Sequence, residues 1–275
     1  TGSFTDGAST ISPTDLSCVC TTQITEMDQL FNGRTTFNDD ISNWDTSNVE
    51  SMIGTFQNAQ LFNQNISSWD VSDVKNMTSM FLNAFAFNQD IGSWNTSSVT
   101  DMTQTFRGAK AFNQPITSAP NRWDVRSVTS MFLMFKDAHA FDQTIEWGGT
   151  DGTVLVRNMQ QMFEHALVLN SPVNLNTSSV NNMRQMFNVA RKFNQPLNFD
   201  TSQVTTMRAM FANMNDFNSS INFTSTSSVQ NMRAMFFKAK KFNQPLNFDT
   251  SSVNNFRDMF NEANDFNQDV NTREV

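Results

Sequence analysis

Residues 62–84 read FNQNISSWDVSDVKNMTSMFLNA, and residues 242–263 read FNQPLNFDTSSVNNFRDMFNEA, which is the same unit with one residue fewer. The Phe-Asn pair that begins this unit returns along the whole chain, mostly at steps of 24 or 25 residues. Its Asn residues are Asn38, Asn63, Asn88, Asn113, Asn194, Asn218, Asn243 and Asn267, with the degenerate pairs Phe141-Asp142 and Leu169-Asn170 in the middle. A fixed period of this length predicts stacked supersecondary units rather than a globular domain with one central core.

Each unit carries two apolar patterns that differ in period. Leu197 and Phe199 flank a polar residue, and this alternation predicts a short strand. Val204, Met207 and Phe211 then recur at steps of three and four, which predicts a short helix. The Ser residues just before this segment, Ser72 and Ser202 among them, are placed to cap that helix. The expected fold is an α/β solenoid, leucine-rich-repeat-like, with about ten turns of 24–25 residues stacked into a curved, elongated array.

The composition fits a continuous apolar interior. The chain has 27 Phe and 17 Met but no Tyr, and most of these Phe and Met residues fall at repeated apolar positions. No single turn can bury its apolar face alone, so neighbouring turns must cover it. The Asn of each Phe-Asn pair is interpreted as a structural ladder, with its side chain turned inward to pair with backbone groups of the next copy. A row of ligand-binding Asn side chains is the alternative.

The repeated pattern F-N-x-x-[IL]-x-x-W-D-x-S-x-V-x-x-M-x-x-M-F-x-x-A closely resembles the repeat of BspA-like leucine-rich-repeat surface proteins. That group includes a domain of unknown function found in bacterial and protist surface lipoproteins. The resemblance covers about residues 24–270. It implies a leucine-rich-repeat horseshoe or a gently curved solenoid, an extracellular or cell-surface setting, and a role in adhesion or binding. It implies no catalytic residues.

The repeat also sets the expected domain boundaries. Residues 1–23 are predicted to form an N-terminal arm and the start of a cap, and residues 24–275 are predicted to form the repeat solenoid. Turns at about 112–168 are expected to be irregular and to bear loops. Extra residues interrupt the pattern there, at 117–122 and 147–153, and these are expected to bulge from one side.

Several classes of function find no support in the sequence. The net charge of −8 argues against nucleic-acid binding, and no apolar stretch is long enough to span a membrane. His139 and His165 do not combine with Ser or acidic residues in a triad-like pattern, so the chain is not expected to be an enzyme. Cys18 and Cys20 are too few for a tetrahedral metal site, and no metal or other cofactor is expected.

A column of Arg residues is the first candidate binding site. Each Arg follows the first Met or Phe of the predicted helix, and spacings of 24, 25 and 24 residues place them one above another. The four are Arg184, Arg208, Arg233 and Arg257. Their guanidinium groups could hold a polyanion, such as a sulfated or uronic-acid glycan, through bidentate hydrogen bonds. The alternative is a solvated face on which each Arg pairs with a neighbouring carboxylate, such as Asp258 or Glu262.

A second candidate column lies between and after the apolar strand positions. It consists of Asn198, Asp200, Asn222, Asn247 and Asp249. In a horseshoe these residues line the concave surface, where repeat proteins usually bind partners. Their amides and carboxylates suit a polysaccharide or a polar protein surface, whereas the alternative is a face that only confers solubility.

Two functions follow as expectations. The first is a non-enzymatic module, extracellular or at a cell surface, that binds a protein or a glycan in adhesion. The alternative is a structural subunit of a surface layer, filament or appendage that assembles by repeat stacking. The pattern stops in mid-unit at Phe266–Val275, which predicts either that more sequence follows or that another copy of the chain covers the uncapped C-terminal end by self-association.

Overall fold

The architecture is a stack of ten coils joined side by side. The computed structural model describes residues 4–5, 10–11, 16, 19–116, 123–147 and 152–269. Within these residues, nine parallel β-bridges connect the position before the first Met or Phe of each unit to its equivalent one coil later. The bridge residues of coils one to ten are Glu26, Ser51, Asn76, Asp101, Ser130, Asn158, Asn182, Thr206, Asn231 and Asn255. The chain is therefore a repeat solenoid, as its period predicts.

Short strands add to these bridges. Strands β1 (Phe4–Thr5) and β2 (Thr10–Ile11) pair antiparallel at the N-terminus. Strand β3 (Ile145–Trp147) pairs parallel with β4 (Val173–Leu175), and β5 (Leu197–Phe199) pairs parallel with β6 (Ile221–Phe223). In β5 the two apolar residues are buried and the polar residue between them is exposed, which confirms the strand predicted there.

The segment predicted to be a helix forms consecutive turns instead, and the described residues contain no α-helix. In coil three, Ser79 and Asn83 have φ of 58° and 56°, in the left-handed region that a right-handed helix excludes. The N–H of Ser79 donates to the carbonyl of Thr103 in coil four at 2.8 Å. The N–H of Phe81 donates likewise to Thr105 at 2.9 Å. Backbone bonding between coils thus takes the place of bonding along a helix.

The Ser before this segment belongs to a turn rather than to a helix cap. The N–H of Ser202 donates to the Asp200 carboxylate at 3.0 Å, which is an Asx turn. Ser72 bonds to Asp70 in the same way, at 2.9 Å. The predicted capping role is therefore wrong, because the side chain that accepts a backbone N–H here is the carboxylate two residues earlier.

The core contains an aromatic column that runs through the stack. One Phe from each coil stacks on its equivalents, with ring centroids 5.4–6.0 Å apart in neighbouring coils. The column consists of Phe31, Phe56, Phe81, Phe106, Phe135, Phe163, Phe187, Phe211, Phe236 and Phe260. From coil two to coil nine these rings are fully buried. Each contributes roughly 1.5–3 kcal/mol to stability through the hydrophobic effect.

Buried polar groups pair across the coils. The indole Nε1 of Trp69 donates to the carbonyl of Ile41, one coil earlier, at 3.1 Å. Trp44, Trp94 and Trp123 make the corresponding bond. The buried hydroxyl of Thr46, two residues after Trp44, donates to the carbonyl of Asp70 in the next coil at 2.8 Å. These bonds offset the cost of removing the Trp and Thr polar groups from water, so burying these groups does not destabilise the fold.

The Asn residues of the Phe-Asn pairs form a hydrogen-bonded ladder along one edge of the stack. The side-chain oxygen of Asn38 accepts the backbone N–H of Asn63 at 2.8 Å. The ladder continues through Asn88, Asn113, Asp142, Asn170, Asn194, Asn218, Asn243 and Asn267. Its side chains are half-buried or exposed rather than turned inward, so they bond backbone groups at the surface of the stack.

The two insertions expected as loops fall mainly outside the described residues, since 117–122 and 148–151 are not among them. At the edge of the second insertion, Trp147 ends β3 and its carbonyl accepts the N–H of Thr153 at 3.0 Å. None of the described segments forms a helix of the length and apolarity needed to cross a membrane.

Candidate functional site

The Arg column lies on the side of the stack where the coils bridge. Each of its residues stands two positions after a bridge residue, in coils seven to ten. The carbonyl of Arg208 accepts the N–H of Gln185 at 2.9 Å, and the carbonyl of Arg233 accepts the N–H of Ala209 at the same distance. Because equivalent positions in bridged strands lie about 4.8 Å apart, the structure brings these Arg backbones into one row.

Three of the guanidinium groups in this row have no counter-ion in the part of the chain that the structure describes. Within the described residues, Arg184, Arg208 and Arg233 form no ion pair. Burial lowers the pKa of Arg208, and the positive charges of Arg184 and Arg233 lower it further. The Nε of Arg184 is buried and has no hydrogen-bond partner in the structure as described. The row therefore concentrates positive charge that an anion would stabilise.

The pairing expected with nearby carboxylates is limited to the end of the row. The Nε of Arg257 lies 3.4 Å from the Asp258 carboxylate, with its side chain 72% exposed. Glu262 lies closer to Lys238, at 3.5 Å, than to any Arg of the row. Exposed pairs of this kind contribute about 0–1 kcal/mol, and neither of the two includes an Arg of coils seven to nine.

The strand face brings together part of the second candidate column. Asn198 and Asn222 are register partners in β5 and β6, and the Asn222 amide donates to the Asn198 side-chain oxygen at 2.8 Å. Asp200 accepts the Thr224 hydroxyl at 2.9 Å. The equivalent positions of the next coil hold Asn247, which is exposed, and Asp249, which is half-buried. Across the neighbouring coils of β5 and β6, this face forms a polar row in which Asn198 bonds to Asn222 and Asp200 bonds to Thr224.

An open groove of about 540 Å³ lies elsewhere on the same coils. Its lining consists of His165, Val189, Arg191, Asn213, Asn215, Lys238, Lys240 and Glu262. The groove mixes cations with the Glu262 carboxylate, and its His165 ring bonds to Asp137 at 2.8 Å. Its charge is therefore partly neutralised, in contrast to the Arg row.

The sequence predicts Glu164 to lie at the surface, and this is wrong, because the structure buries its charge. Glu164 is only 4% exposed, and its carboxylate lies 2.6 Å from the Lys136 ammonium and 2.7 Å from the Asn188 amide. These three residues occupy the same position in coils five, six and seven. The position holds Arg107 in coil four and Ala212 in coil eight, so the repeat pattern contains no signal for it.

The described residues contain no cluster of three or more His, Cys, Asp or Glu arranged to hold a metal ion. Cys20 is exposed and not part of a disulfide, and Cys18 lies outside the described residues. Among the described residues, His139 is not part of such a cluster. The Arg row is thus the arrangement whose chemistry points most directly to a ligand.

Similarity to known sequences covers nearly the whole chain. The model of a family described as "Mycoplasma protein of unknown function, DUF285" matches residues 2–119, 120–199, 149–223 and 197–275. The four matches reflect the internal repeat, because neighbouring segments of one chain fit the same model. No curated protein matches the sequence.

Proposed function

The chain belongs to the DUF285 family of Mycoplasma proteins of unknown function, and we propose that it is a non-enzymatic binding module of a cell surface that attaches to a protein or a glycan. The resemblance of its repeat to BspA-like leucine-rich-repeat surface proteins supports an extracellular setting and a role in adhesion. The solenoid supports recognition of an extended partner, because equivalent side chains of successive coils stand in rows of fixed spacing.

The observation that carries this proposal is the charge of Arg184, Arg208 and Arg233, with which no carboxylate among the described residues forms an ion pair. The fold does not require Arg at this position, since coil two has Ile53 and coil three has Thr78 there. Placing like charges in one half-buried row destabilises the free chain, because they repel each other and lose hydration. A partner that supplies negative charge would convert this cost into binding free energy.

Binding of the folded chain to arrays of extracellular proteins and glycans tests the proposal. We expect saturable binding to at least one component, with competition by unlabelled chain. The same chain, heat-unfolded, serves as the control for adsorption. Absence of saturable binding to every protein and glycan on the arrays would contradict the proposal.

A structural subunit is the second candidate, and the outer edge of coil ten favours it. The N–H groups of Phe256, Asp258, Phe260 and Glu262 stand where other coils donate to a following coil, and none of them bonds to a described residue. Phe256 is also 39% exposed. Such an edge suits one more coil, which either the same chain or a second copy in a filament or surface layer would supply.

Static light scattering over a wide range of chain concentration separates the two candidates. Mass that rises with concentration, and that falls when Phe256 is replaced by Glu, would support the structural role. A constant monomer mass would leave the binding module as the function and would remove the structural candidate.

A further inference from the structure

We propose that the Arg row of coils seven to ten binds a linear anionic polysaccharide that runs along the stack, from coil to coil. This assignment rests on the proposed binding function and specifies the class of ligand and its direction. The row consists of Arg184, Arg208, Arg233 and Arg257.

The direction follows from the backbone ladder. Successive coils are joined by hydrogen bonds at Gln185, Ala209 and Ala234, each of which donates to the carbonyl of an Arg at 2.8–2.9 Å. The four Arg positions therefore advance by about 4.8 Å per coil and span about 14 Å. A single small anion reaches at most two neighbouring guanidinium groups at this spacing. A chain with anionic groups at intervals can meet all four.

The backbone under the row is held in place by the bridge residues. The side-chain oxygens of Asn182 and Asn231 accept the N–H of Arg184 and Arg233 at 3.0 Å, and Thr206 accepts that of Arg208 at 3.4 Å. These bonds fix the base of each Arg side chain before a ligand arrives. A positioned guanidinium loses less freedom on binding than a mobile ammonium, and its planar fork matches a sulfate or a carboxylate.

The chemistry of the row favours a glycan over a nucleic acid. The chain as a whole carries a net charge of −8, which repels a polymer of dense, continuous charge. Beside the Arg row, Thr206 and Asn231 accept Arg N–H groups with their side-chain oxygens, and within the described residues this leaves the Thr206 hydroxyl hydrogen and the Asn231 amide as donors for sugar oxygens. A polysaccharide with spaced sulfates or uronates matches this alternation of charged and neutral groups.

Arg191 provides a matched control. It is exposed and lies in the groove, away from the Arg row but in coils that the row also crosses. Replacing either Arg191 or Arg208 by Ala removes one positive charge from the same part of the chain. A difference between the two variants therefore reports on position and not on net charge.

Gln160 provides a gain of function. It occupies the row position in coil six, directly before Arg184, and is half-buried. The variant Gln160→Arg extends the row by one coil without removing any existing cation. This variant tests the proposal even if Arg208→Ala is poorly folded.

The experiment measures binding of sulfated glycosaminoglycan oligosaccharides of increasing length, with hyaluronan as the carboxylate-only probe and inorganic sulfate as the small anion. We expect affinity to rise with length until the row is spanned, and to fall as ionic strength rises. Arg208→Ala should weaken binding of the longest oligosaccharide on the order of tenfold, Arg208→Lys should weaken it less, and Arg191→Ala should change it less than about twofold. Gln160→Arg should strengthen it.

Equal losses for Arg208→Ala and Arg191→Ala would overturn the proposal, since they would indicate attraction by net charge alone. Failure of Gln160→Arg to strengthen binding would also contradict it. If the chain binds a protein or a neutral glycan on the arrays but none of the anionic oligosaccharides, this assignment fails while the broader binding function stands. Absence of binding to any partner refutes both.

Discussion

The side-chain oxygen of Asn88 accepts the backbone N–H of Asn113 in the next coil at 2.9 Å and the amide of Gln114 at 3.1 Å. The variant Asn88→Ala leaves the Asn113 N–H without this partner, so we expect a loss of about 1–2 kcal/mol in the free energy of unfolding. Chemical denaturation measures it. Asn88→Asp keeps the acceptor, as Asp142 does in coil five, and should cost less. Equal losses for the two variants would show that the bond does not stabilise the stack.

Glu164 and Glu50 test the value of a buried ion pair against an exposed one. Glu164→Ala leaves the Lys136 ammonium, whose side chain is 18% exposed, without its carboxylate, and should cost about 3–5 kcal/mol. Glu50 pairs with Lys75 at 2.5 Å, but both side chains are more than half exposed, so Glu50→Ala should cost less than about 1 kcal/mol. Urea unfolding of both variants measures the two losses of stability. A larger loss for Glu50→Ala than for Glu164→Ala would contradict the prediction.

Two Trp residues differ in one hydrogen bond. The Nε1 of Trp69 donates to the Ile41 carbonyl, whereas the Nε1 of Trp147 is buried with no partner in the described structure. Both Trp→Phe variants lose similar ring volume, but only Trp69→Phe removes a hydrogen bond, after which the Ile41 carbonyl keeps the backbone N–H of Trp44 at 3.2 Å as its other donor. Trp69→Phe should therefore be less stable than Trp147→Phe by about 0.5–1.5 kcal/mol. Matching thermal unfolding midpoints for the two variants would contradict the assigned bond.

Asp200 predicts a pH dependence of stability. The backbone N–H of Ser202, together with hydroxyl donors, lowers the pKa of its carboxyl group. A carboxyl group whose pKa falls on folding stabilises the fold above its unfolded pKa of about 3.9, and that contribution is lost as pH falls through the lower folded value.

The variant Asp200→Asn should therefore lose less stability than the parent chain between pH 6 and pH 3. Asparagine can keep the turn, because Asn176 accepts the N–H of Ser178 at 3.1 Å at the equivalent position. Urea midpoints at the two pH values provide the measurement. An identical fall in both proteins would show that Asp200 does not contribute.

The sequence predicted the solenoid, its number of coils and its Phe and Met interior, because those features repeat with the period. The run of turns that takes the place of the predicted helix was not predictable in this way. Apolar residues spaced three and four positions apart, such as Val204, Met207 and Phe211, fit a helix and a run of turns equally well. The turns depend on left-handed backbone at positions such as Leu133 and Ala209, where no glycine marks them.

The candidate site was predictable in part. The period of 24–25 residues was enough to place the four Arg residues in one row. It could not show which carboxylates reach them, since ion pairing depends on side-chain direction. Glu262 is four residues from Asp258 in sequence, yet it turns to Lys238 rather than to an Arg. Residues that do not repeat, such as Glu164, gave no signal at all.

The central claim is that successive coils lie in register, so that residues one period apart stand side by side. Distances between spin labels test it most directly, with one label at Thr78→Cys and the other at position 184, 208 or 233, in a background with Cys18 and Cys20 replaced by Ser. These positions lie four, five and six coils beyond Thr78 in the same row. The account predicts mean distances that lengthen by about 5 Å at each step. Distances that stay constant or change irregularly would contradict the stack and remove the Arg row with it.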